Sequence, residues 1–462
     1  MTHQAKKNLV WMPLSDQLFC QFLPLLESRV ADRFARRSAK LSPARLLGVL
    51  CLMTGFGRKG YRRVVAELRS GLGRAFGWPS LALIPSPQAI GQARQSLSRA
   101  MCDQAFAAVL DGCRAGELWP VARYGGLRLL AIDGTRLGLP PTPALIEHFG
   151  VPKNNHGDCA SPMAGLVQVW DVGANRPIAF ALTGCAFDER TTSISLFDRL
   201  GPHDLLIGDR GLPSYDLLRA LCRRRSRFLL RCSIKANAEV MAFLASGADD
   251  AVVRLIKRGP NGQRVDGTPA IPVRLIRTTL PNGGVEVLAT NLWRQRGHER
   301  QALIDLYTQR WRIETAFREM KVYHALETFS ATYPDGIYQE IVAIQIFLLL
   351  TSELEAMARA EHHRRTELNK TTAQPQESTK ATAASPPATP TIDHDIRFNR
   401  LIIADNVIHL LRANATGGPA AVAAMLPDIL DYLWKNRAKP RPGRVYPRQR
   451  KRPMRGYRKP GA

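Results

Sequence analysis

The sequence predicts a mixed α/β protein: a sheet domain carrying a β-rich insertion, flanked by a helical N-terminal region and a helical, basic C-terminal region. Three observations lead there. Apolar residues recur at helical spacing up to about residue 120. From Leu127 onward, strand-like apolar runs alternate with helical stretches. Between Lys235 and Gly297 the chain turns β-rich and is punctuated by Pro-Asn-Gly at Pro260 and Pro281, where Asn-Gly is a strong hairpin signal.

In the N-terminal region, Ala44 to Thr54, Tyr61 to Leu72 and Cys102 to Ala115 read as helices. Ahead of the last of these, Pro85-Ser86-Pro87 is a start signal: Ser86 can cap, and Pro87 suits the first helical position. The helix from Gln88 to Leu97 then carries Gln88, Gln92, Arg94, Gln95 and Arg99, side chains suited to bases or phosphates, so a helix-turn-helix-like DNA contact is expected beside the plain alternative of a solvated helix.

The sheet domain opens with Leu127–Ile132, followed by Met163–Trp170 and Pro177–Gly184, an antiparallel hairpin turning at Gly173-Ala174-Asn175. A helix over Thr191–Leu200, the strand Leu205–Gly208, a helix over Tyr215–Arg224 and the strand Arg227–Cys232 complete it. The insertion supplies Val252–Ile256, Val273–Ile276 and Val285–Thr290. A long helix from Glu299 to Val322 and another from Tyr338 to Ala360 follow. The expected divisions are 1–120, helical and DNA-binding; 121–234, first part of the sheet domain; 235–297, insertion; 298–362, second part of the sheet domain; 363–394, a Thr-, Ala-, Pro- and Ser-rich linker; 395–434, helical; and 435–462, a basic tail without an acid.

The formal net charge of +26 favours a polyanionic partner, nucleic acid before an anionic membrane, because each Lys or Arg that displaces a condensed counterion gains affinity. The eight cysteines are scattered with no Cys-x-x-Cys pair, which suggests buried reduced thiols, and no Cys/His cluster suggests zinc. The stretch from Met1 to Leu14 has no long apolar run, and Ile341–Thr351 is too short to span a bilayer, so a cytoplasmic protein without a membrane or small-molecule partner is expected.

Two aspartates sit where apolar strands close, Asp133 in Leu129–Thr135 and Asp209 in Asp204–Gly211. Ligand sites of α/β sheets lie beyond strand ends, although an Asp there is commonly a turn or cap residue. Asp171, Asp204 and Asp216 are lesser candidates. The sharper signal is Tyr307, Arg310, Glu314 and Lys321, which fall within about 60° of one helix face. A phenol, a guanidinium, a carboxylate and an ammonium on one stripe make a poor core pattern, and a solvated charged face is the plain alternative. Three carboxylates from two strands and a helix suit the displacement of a phosphodiester, in which two Mg²⁺ ions activate the attacking oxygen and stabilise the leaving one. Arg310 and Lys321 would hold phosphates beside them.

The Tyr-x2-Arg-x3-Glu-x6-Lys pattern at Tyr307, Arg310, Glu314 and Lys321 resembles the signature of DDE transposases of the insertion-element-four family. Asp133-Gly134-Thr135 and Gly208-Asp209-Arg210-Gly211 are similar to that family's other two acidic motifs, and the resemblance covers Leu127 to about Leu326. The N-terminal helices, and Pro447-Arg448 with Gly456-Tyr457-Arg458 in the tail, are similar more loosely. The resemblance implies a ribonuclease-H-like domain with the Asp133, Asp209 and Glu314 acids as catalytic metal ligands. It also implies two Mg²⁺ (or Mn²⁺) ions, and double-stranded DNA, as inverted terminal repeats and target, for a partner. A homodimeric synaptic complex and excision through a DNA hairpin are implied as well. Tyr307, Arg310 and Lys321, with Arg210, would contact phosphates. One departure stands out. Where some members stack a flipped base on a Trp of the insertion, this sequence has Glu286, with Trp293 the nearby base-stacking candidate. A catalytically inactive DNA-binding relative and another ribonuclease-H-like nuclease are the alternatives.

Overall fold

The computed structural model describes residues 18–30, 41–57, 60–114, 117, 123–154, 157–158, 160–234, 237–279, 283–373 and 398–438. The Met1–Leu14 stretch, Cys159, Pro281 with Asn282, most of the expected linker and nearly all of the basic tail lie outside the described residues.

The N-terminal helices are α1 (Leu18–Arg29), α2 (Pro43–Gly55), α3 (Tyr61–Arg69), α4 (Pro87–Ala93) and α5 (Arg99–Gly112). Their starts follow from local chemistry. The Ser42, Ser86 and Ser98 hydroxyls accept the N–H of Arg45, Ala89 and Met101, and Pro43 and Pro87 open their helices with a preset φ. The helix expected from Gln88 to Leu97 is shorter, tightening into a 3₁₀ turn at Arg94–Ser96.

Next come β1 (Arg123–Tyr124), β2 (Leu127–Gly138), α6 (Pro143–Phe149), β3 (Lys153–Asn154), β4 (Gly157–Asp158), β5 (Met163–Asp171) and β6 (Arg176–Thr183). They are followed by α7 (Glu189–Ser195), β7 (Asp204–Gly208), α8 (Tyr215–Arg223), β8 (Arg227–Cys232) and α9 (Ala238–Ala245). The insertion contributes β9 (Asp250–Leu255), β10 (Ile271–Thr279) and β11 (Val285–Thr290). The last helices are α10 (Arg300–Tyr307), α11 (Trp311–Val322), α12 (Pro334–Ala373) and α13 (Arg400–Lys435).

Among the described residues one sheet runs in the order β6-β5-β2-β7-β8-β11-β10-β9, with β1 on β2. β2, β7 and β8 are mutually parallel and the other pairings are antiparallel. The insertion therefore continues the main sheet: β11 pairs with β8, and Val273, Leu275, Val287 and Ala289 share a core with Leu206, Phe228 and Leu230. The open edge of β8 offers unpaired backbone groups, and pairing β11 there satisfies them. Helices cover both faces. α10, α11 and the first half of α12 pack on the face of Leu129, Ala131, Leu205, Ile207 and Leu229; α8 and α9 pack on the other.

Two further expectations are corrected. The helix read from Glu299 to Val322 is broken by a 3₁₀ turn at Thr308–Arg310. The helix expected over Tyr338–Ala360 runs from Pro334 to Ala373, through the start of the expected linker. That helix is long and apolar enough to cross a membrane, but its apolar window lies wholly inside the protein. One flank of it packs on the sheet through Ile337, Ile341, Ile344 and Leu348; the other packs on α1, α2, α5 and α13 through Val342, Ala343, Ile346, Phe347, Leu349 and Leu350. The C-terminal helix α13 thus shares one core with the N-terminal helices. The seven described cysteines are all free, and five are buried.

Several buried polar residues of α12 reach partners on other elements. Gln345 bonds Gln168 at 3.0 Å, and Glu353 accepts the Arg114 N–H at 2.9 Å. Arg400 of α13 reaches Glu319 of α11 at 2.7 Å and also pairs with Glu355, clamping the C-terminal helix to α11 and α12. Burial would raise the Glu355 carboxyl, but the Arg359 and Arg400 guanidinium groups outweigh it and hold the group at about 2. A carboxyl depressed in this way stabilises the fold above the ordinary value of 4.5, and that contribution drains away as pH falls towards about 2. Stability from urea melts should therefore fall between pH 4.5 and pH 2, and Glu355→Gln should flatten that segment. An unchanged slope would show that the cluster does not favour the carboxylate.

Arg94, expected to face DNA, is only 2 % exposed. It donates to Gln339 at 2.9 Å, Glu340 at 2.8 Å and the Gly336 carbonyl at 2.7 Å, and also bonds Tyr61. It ties the 3₁₀ turn to the start of α12 and is unavailable to a ligand. Removing one partner of a buried ion pair costs about 3–5 kcal/mol. Arg94→Ala should lose stability on that scale, whereas Gln88→Ala and Gln92→Ala, at exposed positions, should stay within about 0.5 kcal/mol in chemical melts.

Candidate active site

Strand alternation decides which side chains meet. Along β2, Leu129 and Ala131 face the α11 side and Leu130 and Ile132 face away, so Asp133 falls on the α11 side. The same parity in β7, where Leu205 and Ile207 face α11, carries over to Asp209; in β8 it places Arg231 after Leu229. Register aligns them: Ile132 is opposite Gly208, and Gly208 is opposite Leu230, so Asp133, Asp209 and Arg231 stand side by side across three parallel strands. β2 does not end at Asp133 as expected; it continues to Gly138 against β5 while β7 stops at Gly208, and the gap left on the β7 side is where Asp133 opens to the cleft.

Above this row lies the start of α11. Arg310 closes the 3₁₀ turn and is 7 % exposed; its Nη1 is 2.8 Å from Glu314 Oε1 and 3.9 Å from Asp133 Oδ2, so it stands between the two acids. Its guanidinium also lies over the Trp311 ring at 5.0 Å. The Tyr307 hydroxyl donates to the Gly208 carbonyl at 3.3 Å, and burial pushes its phenol well up, so it remains a donor. Lys321 Nζ donates to the Arg136 carbonyl at 2.8 Å and lies 3.4 Å from Glu327. The stripe read from the sequence is therefore brought onto the two aspartates despite the break in the helix. Arg210 is exposed next to Asp209.

Two neighbours were not found by sequence reasoning. Arg231 Nη2 is 2.5 Å from Asp209 Oδ1, and its Nη1 pairs with Glu286. The position where a Trp was looked for thus holds a carboxylate tied through Arg231 to Asp209. The other is Glu189 at the start of α7. A Cβ built on Gly134 would come within 2.9 Å of its Oε1, and one on Gly211 within 3.7 Å of its Oε2, so Glu189 lies between the two aspartate loops. Its place in the order, before β7, gave no spacing signal.

Charge in this cleft is unbalanced. Burial raises the Asp133 carboxyl to about 6, with the negative charges of Glu189 and Glu314 adding and the Gly134 N–H and Arg310 opposing. Burial raises Glu189 also, with Asp209 and Asp188 adding. At Asp209 burial is outweighed by the Arg210 N–H, Arg310 and Arg231, and the carboxyl is held below its usual value. The donors are oxygens with no thiolate or imidazole among them, which fits a hard divalent cation in chemistry, and the surplus negative charge fits it in electrostatics. Among the described residues, however, no three acids are drawn together as tightly as a bound ion would draw them, and Arg310 lies between two of them.

The remaining candidates lie elsewhere. Asp171 caps the β5–β6 turn through the Gly173 and Ala174 N–H groups; Asp204 pairs with Arg128 at the far end of β7; Asp216 pairs with Lys257. Trp293 follows the end of β11, just past Asn291, whose side chain accepts the Phe228 N–H at the start of β8. It is therefore at the opposite end of the strands from Asp209, because β11 runs antiparallel to β8. Arg99 pairs with Asp335 at 2.6 Å, while Gln88 and Gln92 are exposed.

Comparison with known proteins agrees with the signature. Residues 124–350 match a family model described as a transposase DDE domain, so this part of the chain is a DDE transposase domain. The transposase InsG for insertion sequence element IS4 of Escherichia coli is 26% identical over 289 residues, covering 60% of this chain and 62% of the relative, so the chain spans less than two thirds of that relative's length. Together these matches support a DDE transposase domain of the insertion-element-four type over residues 124–350. A solved structure of a piggyBac transposase synaptic complex with hairpin DNA aligns over 93% of this chain and 87% of its own at 10% identity, with a TM-score of 0.43.

The space around Asp209 makes a further test. A Cβ on Gly208 would lie 2.5 Å from Leu212 Cδ1, 3.0 Å from Leu230 Cδ2 and 3.3 Å from Ile132 Cγ2, whereas one on Gly211 would meet only the end of the flexible Glu189 side chain. Overpacking a core costs about 1–3 kcal/mol. Gly208→Ala should lose that much in thermal or urea melts and Gly211→Ala much less; equal losses would refute the packing account.

Proposed function

We propose that this protein is an active transposase of a bacterial insertion sequence that binds the element's terminal inverted repeats and cuts and joins DNA strands at Asp133, Asp209 and Glu314. The observation that carries the reading is that Asp133 and Glu314 flank Arg310 while Asp209 stands beside Asp133 on the neighbouring strand, all on one face of the sheet. Two parallel strands and one helix within a DDE domain supply them. The sheet of β6, β5, β2, β7 and β8, flanked by helices, supports a ribonuclease-H-like core.

Asp133, Asp209 and Glu314 would hold two Mg²⁺ or Mn²⁺ ions, which supply activation of the attacking oxygen and stabilisation of the leaving one in an in-line displacement at phosphorus. The chain's own groups do the rest. Arg310, Lys321 and Arg210 neutralise phosphate oxygens, and the Tyr307 hydroxyl is a donor beside them. The exposed Gln88 and Gln92, with Arg99 at the edge of the same surface, are candidates for a flanking DNA contact; Arg94 is not. A homodimeric synaptic complex, excision by cut-and-paste through a DNA hairpin, and a cytoplasmic, nucleoid-associated location complete the reading. Trp293, at the opposite end of the strands from the acids, is left out of the reading.

The test is cleavage of a labelled inverted-repeat end by wild type and by Asp133→Asn, Asp209→Asn and Glu314→Gln, with Mg²⁺ and with EDTA. Each variant should retain DNA binding and lose nicking by about 10²–10³-fold, the scale of removing one transition-state stabiliser. Metal-dependent nicking that survives in a variant would remove that acid from the site. Binding without nicking by the wild type would instead favour a catalytically inactive, transposase-derived DNA-binding protein.

A further inference from the structure

Arg310 is the most deeply buried of the cleft's cations. Its side chain is more than nine-tenths buried, and its Nε, like that of Arg231, makes no hydrogen bond. Its ion-pair partners are Glu314 at 2.8 Å and Asp133 at 3.9 Å, both of them acids of the site proposed above. Arg231, by comparison, is pinned between Asp209 and Glu286. Arg310 also stands on the short 3₁₀ turn between α10 and α11, a tightened segment of the kind that often marks a hinge within a helix. A guanidinium with five donors satisfies a phosphate in bidentate fashion better than it satisfies two acids at unequal distances.

We propose that Arg310 is the internal counter-ion of Asp133 and Glu314 in the DNA-free protein, and that transfer of its guanidinium to a DNA backbone phosphate frees both carboxylates for a divalent cation. DNA binding and metal binding are then linked through one side chain, and each strengthens the other by the same factor. Without DNA, Arg310 and the cation compete for the same oxygens, which restrains cleavage chemistry until a DNA end is in place. The inference rests on the metal assignment of the preceding subsection.

The experiment is calorimetric titration of the full chain with Mn²⁺, alone and with an inverted-repeat duplex, for wild type, Arg310→Gln, Arg310→Lys and Arg210→Gln. In the absence of DNA, Arg310→Gln should bind Mn²⁺ about 5- to 100-fold more tightly than wild type, the usual range of a coupling between sites. Its gain from added duplex should shrink correspondingly. Arg310→Lys, which keeps the charge, should remain close to wild type. In the DNA-free titration, Arg210→Gln removes a charge beside Asp209 without releasing an acid and should stay within about twofold, well below the coupling range. Circular dichroism and thermal melts establish that each variant is folded; if Arg310→Gln does not fold, the Arg310→Met variant takes its place in the same titration.

Equal Mn²⁺ affinity for wild type and the neutral variant, or an undiminished gain from DNA in that variant, would overturn the inference. An equal tightening in Arg210→Gln would reduce the effect to general electrostatics and overturn it too. If Asp133→Asn and Glu314→Gln leave Mn²⁺ binding unchanged, the metal assignment itself fails. If they abolish it while Arg310 proves irrelevant, only the counter-ion role fails.

Discussion

The structure depends on burying the apolar stretch of α12 on all sides. Its 40 residues include the stretch from Ile341 to Leu350, which contains one polar residue, Gln345, and every residue of that stretch is buried. A helix apolar all round cannot sit at a surface, so it must be enclosed, here by the sheet on one flank and by α1, α2, α5 and α13 on the other. That one demand assembles segments far apart in sequence: the N-terminal helices and the C-terminal helix become a single helical body because both are needed to cover it.

Enclosing such a helix forces its few polar groups to find partners, since an unpaired buried charge costs several kcal/mol. The solutions are the long-range ties already described. Arg94 reaches Gln339 and Glu340, 245 and 246 residues along the chain, and Arg400 reaches back to Glu319 and Glu355. The second tie matters for the cleft, because Glu319 is one turn beyond Glu314 on α11. The helix that carries the third acid is therefore held from behind by the same clamp that closes the helical body.

In the cleft itself the balance is different. Asp133, Asp209 and Glu314 face Arg310 or Arg231, Glu189 lies beside the two aspartates, and the carboxyl of Asp133 is raised to about 6 while that of Asp209 is depressed. Each aspartate accepts the N–H of the residue that follows it; they differ because Asp209 faces both guanidinium groups, while burial dominates at Asp133. A pocket left short of positive charge in this way is suited to receive cations.

Much of this was legible in the sequence, and the reasons are local. The parity of Leu129–Asp133 and Leu205–Asp209 places both aspartates on one face, and the spacing of Tyr307, Arg310, Glu314 and Lys321 survives the 3₁₀ break because a tighter turn alters the helix phase only slightly. The Ser86-Pro87 start signal located the beginning of α4. What sequence could not decide was whatever depends on distant partners. Arg94 has the look of a DNA-reading side chain on a solvated helix until α12 is folded over it. The β-rich insertion reads as a separate unit until β11 takes the open edge of β8. Glu189 and Arg231 sit in segments whose local pattern says only helix start and strand, and Trp293 is close to Glu286 in sequence but at the other end of β11. The sequence by itself determined the element types, the order of the acids and the stripe that answers them; the tertiary structure alone decided which charges meet, because those pairings are set by strand register and helix enclosure rather than by spacing along the chain.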